Sequence, residues 1–241
     1  MIPYWMSRTQ LMLGDEKVEN LRNKNVLVIG LGGVGGICAE MIARAGIGKM
    51  TIVDNDIIDE SNINRQIPAL QSTVKMPKAK VLAARLLDIN PLLDLTIIED
   101  FMQDEKTIAL IEKERWDYIV DCIDTLSAKV DLIKACMDRK LPIVSSMGAG
   151  GKLDPSQIKV TDLSKSYECN LARYVRKRLQ ALGIKKGLKV VFSPEKPDQT
   201  KIIETENAYP KKSIIGTLSY MPAIFGCTVA SVVIRDLMAI D

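Results

Sequence analysis

The run Val26-Leu27-Val28-Ile29 passes straight into Gly30-Leu31-Gly32-Gly33-Val34-Gly35, and few folds can use such a junction. An unbroken apolar segment rich in β-branched residues reads as a strand buried on both faces, the mark of a parallel sheet covered by helices. The glycines that follow let backbone approach a phosphate closely, and the helix they open offers unbonded N–H groups to an anion. The chain is therefore expected to start its sheet with a strand, a phosphate-approaching turn and a helix.

The same rhythm continues. A second strand is expected at Met50–Val53, then a helix at 78–90, a strand at 95–98, a helix at 104–112 and a strand at 118–120. A helix at 127–137 and a strand at 142–146 follow, with Asn90-Pro91 and Leu141-Pro142 marking helix ends, because the residue before proline is pushed out of the helical region. Beyond Gly148-Ala149-Gly150-Gly151 the pattern changes to a strand at 157–161, a basic helix at 171–180 and a strand at 188–192. The polar, proline-punctuated stretch 193–213 is expected to be a mobile loop. The fold class is α/β: a Rossmann-like, mostly parallel sheet flanked by helices, extended by a C-terminal mixed α/β part. With 241 residues and 47% hydrophobic content, one domain over 1–241 is expected, divided into a nucleotide-binding half, 1–146, and a substrate-side half, 147–241.

Composition excludes several classes. A net charge of +3 does not by itself announce nucleic acid, so any such case must rest on local clustering. Five scattered cysteines give neither a disulfide framework nor a zinc pair, which makes a reducing cytoplasm the expected setting. The N-terminus lacks the charged start and apolar run of a secretion signal. The stretch 221–240 is interrupted by Arg235 and Asp236 after a run too short to cross a bilayer, so a buried terminal helix is expected there and no membrane span.

Strand ends carry the chemistry. Asp54 closes the second strand about 20 residues past the glycines, where an acid grips ribose hydroxyls, an arrangement that suits NAD as well as ATP. Asn62-Ile63-Asn64-Arg65-Gln66 and then Pro77-Lys78, opening a helix, add two cations where a nucleotide's phosphates would continue. Cations aimed at a polyphosphate favour ATP. Asp121-Cys122-Ile123-Asp124 follows a buried strand, so a carboxylate there can reach a metal-nucleotide, since Mg²⁺ takes one or two carboxylates plus phosphate oxygens. Asp124 could instead cap the following helix, but with Arg65 and Lys78 in the same crevice the metal reading is favoured.

In order and spacing these segments, with Asp54-Asn55-Asp56 and Ser61-Asn62-Ile63-Asn64-Arg65-Gln66, resemble the adenylation domain of ubiquitin-activating-enzyme-like proteins from about Arg8 to Ser146. That resemblance implies ATP cleavage to an acyl-AMP and pyrophosphate. It places Gly30, Gly32, Gly33, Gly35, Asp54, Asp56 and Asn62 around the nucleotide, Arg65 and Lys78 on its phosphates and Asp124 on Mg²⁺. Arg8 matches an arginine lent to the partner subunit's ATP, which implies a homodimer.

Further on, Ser145–Pro155, Val160-Thr161-Asp162-Leu163, Leu171-Ala172-Arg173, Val191-Phe192-Ser193 and Gly216–Pro222 are similar to the tRNA threonylcarbamoyladenosine dehydratases. Members of that group use ATP to cyclise the threonylcarbamoyl group on the adenosine beside the anticodon. Asn170 stands where a proline is usual, and Trp5 where many relatives have a further arginine. A tRNA partner suits the run Leu171–Phe192, which holds seven cations and no acid; Arg173, Arg176, Lys177 and Arg178 are the candidate tRNA-binding residues. A solvated helix face is the plainer account of such a run.

The turn Ser145–Gly151 is a candidate cradle for substrate and, through its carbonyls, for a monovalent cation. Cys169, expected in an exposed segment, is a lesser candidate for persulfide or acyl chemistry with a cysteine desulfurase or sulfur-acceptor partner; Cys38, Cys122, Cys136 and Cys227 are expected in the core. Activation of a ubiquitin-like sulfur carrier is the leading alternative, ahead of a non-catalytic binding module and an NAD-dependent oxidoreductase.

Overall fold

Seven strands form one sheet in the computed structural model, which describes residues 1–204 and 213–239. In spatial order they are β3 (Asp94–Ile98), β2 (Lys49–Val53), β1 (Asn25–Ile29), β4 (Tyr118–Asp121), β5 (Ile143–Ser146), β7 (Lys189–Phe192) and β6 (Lys159–Asp162). All neighbours pair in parallel except β6, which runs antiparallel to β7 at the edge. The sequence expectation of a mostly parallel sheet is met.

β1 shows why the sheet must lie between two helical layers. Its side chains alternate, Val26 and Val28 entering one core and Leu27 and Ile29 the other, and all are buried. The first core is closed by α3 (Gly35–Arg44), α4 (Lys78–Ile89) and α8 (Tyr220–Leu237), the second by α5 (Glu105–Glu112), α6 (Leu126–Asp138) and α7 (Asn170–Ala181). α8 lies against α3 so closely that a Cβ on Gly226 would come 2.5 Å from the Val34 carbonyl oxygen. That helix spans 18 residues with a hydropathy of 1.3, enough by length and composition to cross a membrane, which corrects the expectation of too short a run. Its buried Met221, Phe225, Val229 and Val233 belong to the core, as expected of a terminal core helix.

Other departures are local. The helices α1 (Ser7–Leu13), which carries Arg8, and α2 (Asp15–Arg22) precede β1 and were not expected as helices. The stretch 193–213 is not wholly loop: β8 (Ile202–Glu204) pairs antiparallel with β9 (Ser213–Ile215), while 205–212 lie outside the described residues. Asn170 is the first residue of α7, the position where proline is favoured because the N–H there has no helical partner, so the departure from the usual proline leaves the helix start in place.

Between β1 and β4 the strand order reverses direction, since β2 and β3 lie on one side of β1 and β4, β5, β7 and β6 on the other. Open parallel sheets bind ligands at such a switch point, beyond the C-terminal ends of the strands.

Candidate active site

Gly30 ends β1 with φ +86°, and a Cβ there would meet the Cys122 carbonyl oxygen at 2.7 Å, so only glycine lets the β1 and β4 exits lie this close. Gly33 and Gly35 are also packing requirements, against Pro222 and the Arg65 carbonyl and against the Gly30 carbonyl respectively. Gly32 differs: its nearest neighbour is the Gln66 amide, 3.8 Å from a built Cβ. The protein leaves that face open. This is the backbone a phosphate could approach, where α3 begins.

Asp54, at the exit of β2, closes the crevice from the side. One carboxylate oxygen accepts from the Leu31 N–H at 2.6 Å and the other from the Asp56 N–H at 2.8 Å. Burial holds its carboxyl above the ordinary aspartate range, against the pull of Lys78 and these two N–H groups. Lys78, the first residue of α4, is itself buried and bonds Asp56 at 2.7 Å. Asp56 is half exposed, so the ammonium is held at the crevice wall by a carboxylate that solvent can reach.

Asn62 and Arg65 come from a short segment between β2 and α4. Asn62 is buried, and its carboxamide oxygen accepts the Asp59 N–H as part of a capping box, in which its amide nitrogen takes no part. Arg65 folds back onto the Ser61 carbonyl and the Asn64 side chain at 2.7 and 2.8 Å. Asn64 in turn donates to the Thr217 carbonyl, tying this segment to the approach to α8. Gln66, quoted in the motif without a role, has a buried carboxamide oxygen with no hydrogen-bond partner among the described residues. The Gln66 atom that faces Gly32 is instead its amide nitrogen, a donor on the side from which an anion would approach.

The two aspartates after β4 part company. Asp121 is fully buried: one oxygen bonds Lys129 at 2.8 Å and Ser145 at 2.6 Å, the other the Ile123 N–H. Lys129, also fully buried, donates as well to the Ile123 carbonyl. Asp124 is exposed, and the N-cap position of α6 is held by Thr125, whose side chain makes no capping hydrogen bond. Among the described residues no cluster of three or more His, Cys, Asp and Glu side chains could hold a metal alone. One exposed carboxylate beside a phosphate site suits Mg²⁺, whose remaining ligands are phosphate oxygens and water.

Other sequence candidates are placed elsewhere. Arg8 lies exposed on α1 and Met6, two residues before it, packs on Gly46, at the opposite end of the sheet. Arg176 turns inward, bonding the Ser166 carbonyl and hydroxyl at 2.6 and 2.8 Å, unlike exposed Arg173, Lys177 and Arg178. Arg176, a candidate tRNA-binding residue, thus has one guanidinium nitrogen engaged by the protein itself. Lys189 pairs with Asp236 at the far end of β7, beside a cavity of about 390 Å³ that opens away from the strand exits. Cys169 is buried, correcting the expectation of exposure, whereas Cys227 is exposed, correcting its assignment to the core; Cys122 is partly buried and packs against the core as expected. Burial pushes the Cys122 and Cys136 thiols up to about 12, which removes both as nucleophiles near neutral pH.

A model of the ThiF family matches residues 6–240. The chain belongs to the ThiF family. Among ThiF relatives, it is 38% identical over 239 residues to the tRNA threonylcarbamoyladenosine dehydratase of Bacillus subtilis, covering 96% of this chain and 94% of that protein. The Escherichia coli tRNA N6-threonylcarbamoyladenosine dehydratase in complex with ATP superposes with a TM-score of 0.87 at 34% identity, over 97% of this chain and 93% of that one. A ThiF relative from the alternative class, the E. coli molybdopterin-synthase adenylyltransferase, is 34% identical over 127 residues, only 53% of this chain and 50% of that protein. Likeness to the dehydratases spans nearly the whole chain, whereas likeness to this adenylyltransferase covers about half of it.

Proposed function

We propose that this chain is an ATP-dependent tRNA-modifying enzyme that adenylates and cyclises the threonylcarbamoyl group of N6-threonylcarbamoyladenosine beside the anticodon. The observation that carries the reading is the convergence of Asp54, Lys78 and the Asp124 loop at one strand-exit crevice, in a chain similar to the dehydratases from end to end.

The chemistry asks for little proton transfer. A substrate carboxylate oxygen attacks the α-phosphorus of ATP, the bond to the β-phosphate breaks, and pyrophosphate leaves. The substrate's own ureido group then attacks the acyl carbon of the acyl-AMP, AMP departs and a proton is lost. The net change in the nucleoside is loss of one water. Both steps depend on alignment and on charge stabilisation at phosphorus, which preorganised cations and N–H groups supply. A chain with no histidine is equal to that task.

In this reading Asp54 grips the ribose with the lone pairs its two backbone partners leave over. The Gly30–Gly35 turn receives the phosphates, and Arg65 and Lys78 exchange Ser61, Asn64 and Asp56 for phosphate oxygens. Asp124 holds Mg²⁺, which when bound neutralises phosphate charge. Arg173, Lys177 and Arg178 meet the tRNA backbone. A monovalent cation on the 145–151 carbonyls is an addition that the reading does not need. Nor does it need a sulfur-transfer partner, given a buried Cys169. Five unpaired cysteines are in keeping with a reducing cytoplasm.

Arg8 we assign to the neighbouring subunit's site in a homodimer. Its helix starts at the end of the sheet opposite the phosphates, a strand length of roughly 15 Å away. Leu11 and Met12 on the same helix are more than four-fifths exposed, an apolar surface that a second copy would cover.

Incubation with ATP and tRNA bearing the threonylcarbamoyl group, followed by nucleoside digestion and mass analysis, tests the function: loss of one water with stoichiometric AMP is expected. Asp124→Ala should abolish AMP formation while the fold persists. Normal AMP production by that variant would remove the metal assignment, and an unchanged nucleoside with the wild-type chain would remove the function.

A further inference from the structure

The outer face of α7 is built in a way that backbone neutralisation does not require. Ala172, Val175 and Leu179 are buried, and the opposite face carries Arg173, Lys177 and Arg178 together with Tyr174, half of whose surface is exposed. Half of that ring is left to solvent on the cationic side of the helix, where the core does not need it. Its orientation is nonetheless fixed: the Arg173 guanidinium carbon lies 5.0 Å from the ring centroid, and Nη2 donates to the Tyr174 hydroxyl at 3.3 Å.

A second ring repeats the arrangement. Tyr167, also half exposed, stands edge-on to Phe192, with centroids 5.7 Å apart at 72°, and accepts a hydrogen bond from the Lys159 ammonium at 2.9 Å. Lys159 lies 5.3 Å from the ring centroid. Arg176 binds Ser166, so the turn bearing Tyr167 is fastened to the helix bearing Tyr174.

Both rings belong to the crevice end of the sheet. Phe192 is the last residue of β7, and Lys159 is its partner in β6. α7 begins beside the candidate substrate turn, where Leu171 Cβ lies 3.8 Å from the place a Gly148 Cβ would occupy, and Tyr174 is one helical turn further on. Two preoriented rings, each held by a cation, therefore stand on the substrate-side part of the sheet, and no acid occurs between Leu171 and Phe192 to neutralise the cations around Tyr174.

We propose that Tyr174, with Tyr167 as a second platform, stacks an unpaired base of the tRNA loop adjoining the modified adenosine, while the cations around it take the phosphates. Base faces are available only where the strand is unpaired, and an aromatic ring meets any base without reading its edge. An A-form duplex would engage the cations and be indifferent to the rings. The proposal rests on the tRNA reading above and adds to it the residues that distinguish loop from stem.

The test compares the wild-type chain, Tyr174→Ala, Tyr174→Phe and Tyr167→Ala for binding to an anticodon stem–loop bearing threonylcarbamoyladenosine and to a fully paired RNA duplex of equal length. Tyr174→Ala should weaken stem–loop binding by roughly tenfold and leave duplex binding unchanged, with Tyr167→Ala a smaller loss in the same direction. Tyr174→Phe should bind as wild type, and its intact ring controls for folding. The salt dependence should not move in Tyr174→Ala, because every cation that meets a phosphate is still in place. Equal stem–loop affinity of Tyr174→Ala and wild type, or equal loss on both RNAs, overturns the platform. Conversion of the hairpin nucleoside by the wild-type chain, read by mass, is scored separately. A wild type that binds the hairpin with the Tyr174 dependence but does not convert it sinks the function and keeps the platform, and one that binds no hairpin sinks both.

Discussion

Glu40 illustrates how single charged residues are held in this protein. It is buried on α3, and burial alone would raise its carboxyl, but hydrogen bonds and charge from Arg85 and Arg44, at 2.5 and 2.9 Å, outweigh that and hold it below the ordinary glutamate range. Its folded value being depressed, the stabilisation is complete above the unfolded value of about 4.3 and is lost as pH falls through the folded one. Glu40→Gln should accordingly lose stability at neutral pH and show a flatter acid limb, measured by denaturant midpoints at several pH values. The Lys129–Asp121 pair is more demanding because both partners are fully buried. Lys129→Met should destabilise by about 3–5 kcal/mol by stranding a buried carboxylate, whereas adding Asp121→Leu should recover much of that loss. Urea unfolding of the single and double variants reads the difference. Cys169→Ser should leave turnover nearly unchanged, since a buried thiol touches no step of the proposed reaction.

α7 shows how one element can serve two purposes through its faces. Arg176 lies on the side that meets Leu163–Lys165 and Ser166, so Arg176→Ala should cost about 2 kcal/mol of stability, typical of lost hydrogen bonds to a charged group. Thermal unfolding would register it, with the salt slope of tRNA binding unaltered. Replacing Arg173, Lys177 and Arg178 should do the reverse. Stability is expected to hold, and the slope of log K against log salt should flatten by roughly 0.7–0.9 for each phosphate that is no longer neutralised. If both sets change binding alike, the division of the helix into a docking side and an RNA side is wrong.

At the level of the whole molecule, the placement of α1 predicts behaviour that no single chain can display. If Arg8 completes a partner's site, Arg8→Ala and Asp124→Ala are each inactive alone, yet their mixture after subunit exchange forms heterodimers with one intact site. An equimolar mixture then contains half heterodimers, so activity should recover to roughly a quarter of wild type if exchange is statistical and the two sites are equivalent. A mixture that stays inactive while exchange is verified by tagged subunits would place Arg8 in its own chain.

How far the sequence alone reached follows from the range of the forces involved. Hydrophobic periodicity is local, so the strands and helices from Val26 to Phe192 were legible to within a residue or two, and the Gly30–Gly35, Asp54 and Lys78 signals needed only their place at strand ends. Four things required the tertiary structure. α1 and α2 have no strong local signal, and the burial of Val18 and Leu21 on α2, and of Met6 in the turn before α1, has no meaning until the sheet exists beneath them. Asp121 and Asp124 look alike in sequence, and only Lys129 and Ser145 arriving from α6 and β5 make one of them structural. Arg176 departs from its neighbours because helical rotation turns it toward Ser166, which side a cation takes being a matter of what packs there. Tyr174 and Tyr167 carry no sequence motif at all; their meaning comes from β6, β7 and α7 bringing half-exposed rings and cations to the crevice end of one sheet. Pattern along the chain determines which segments are strand or helix, and packing across it decides which polar groups remain available for chemistry.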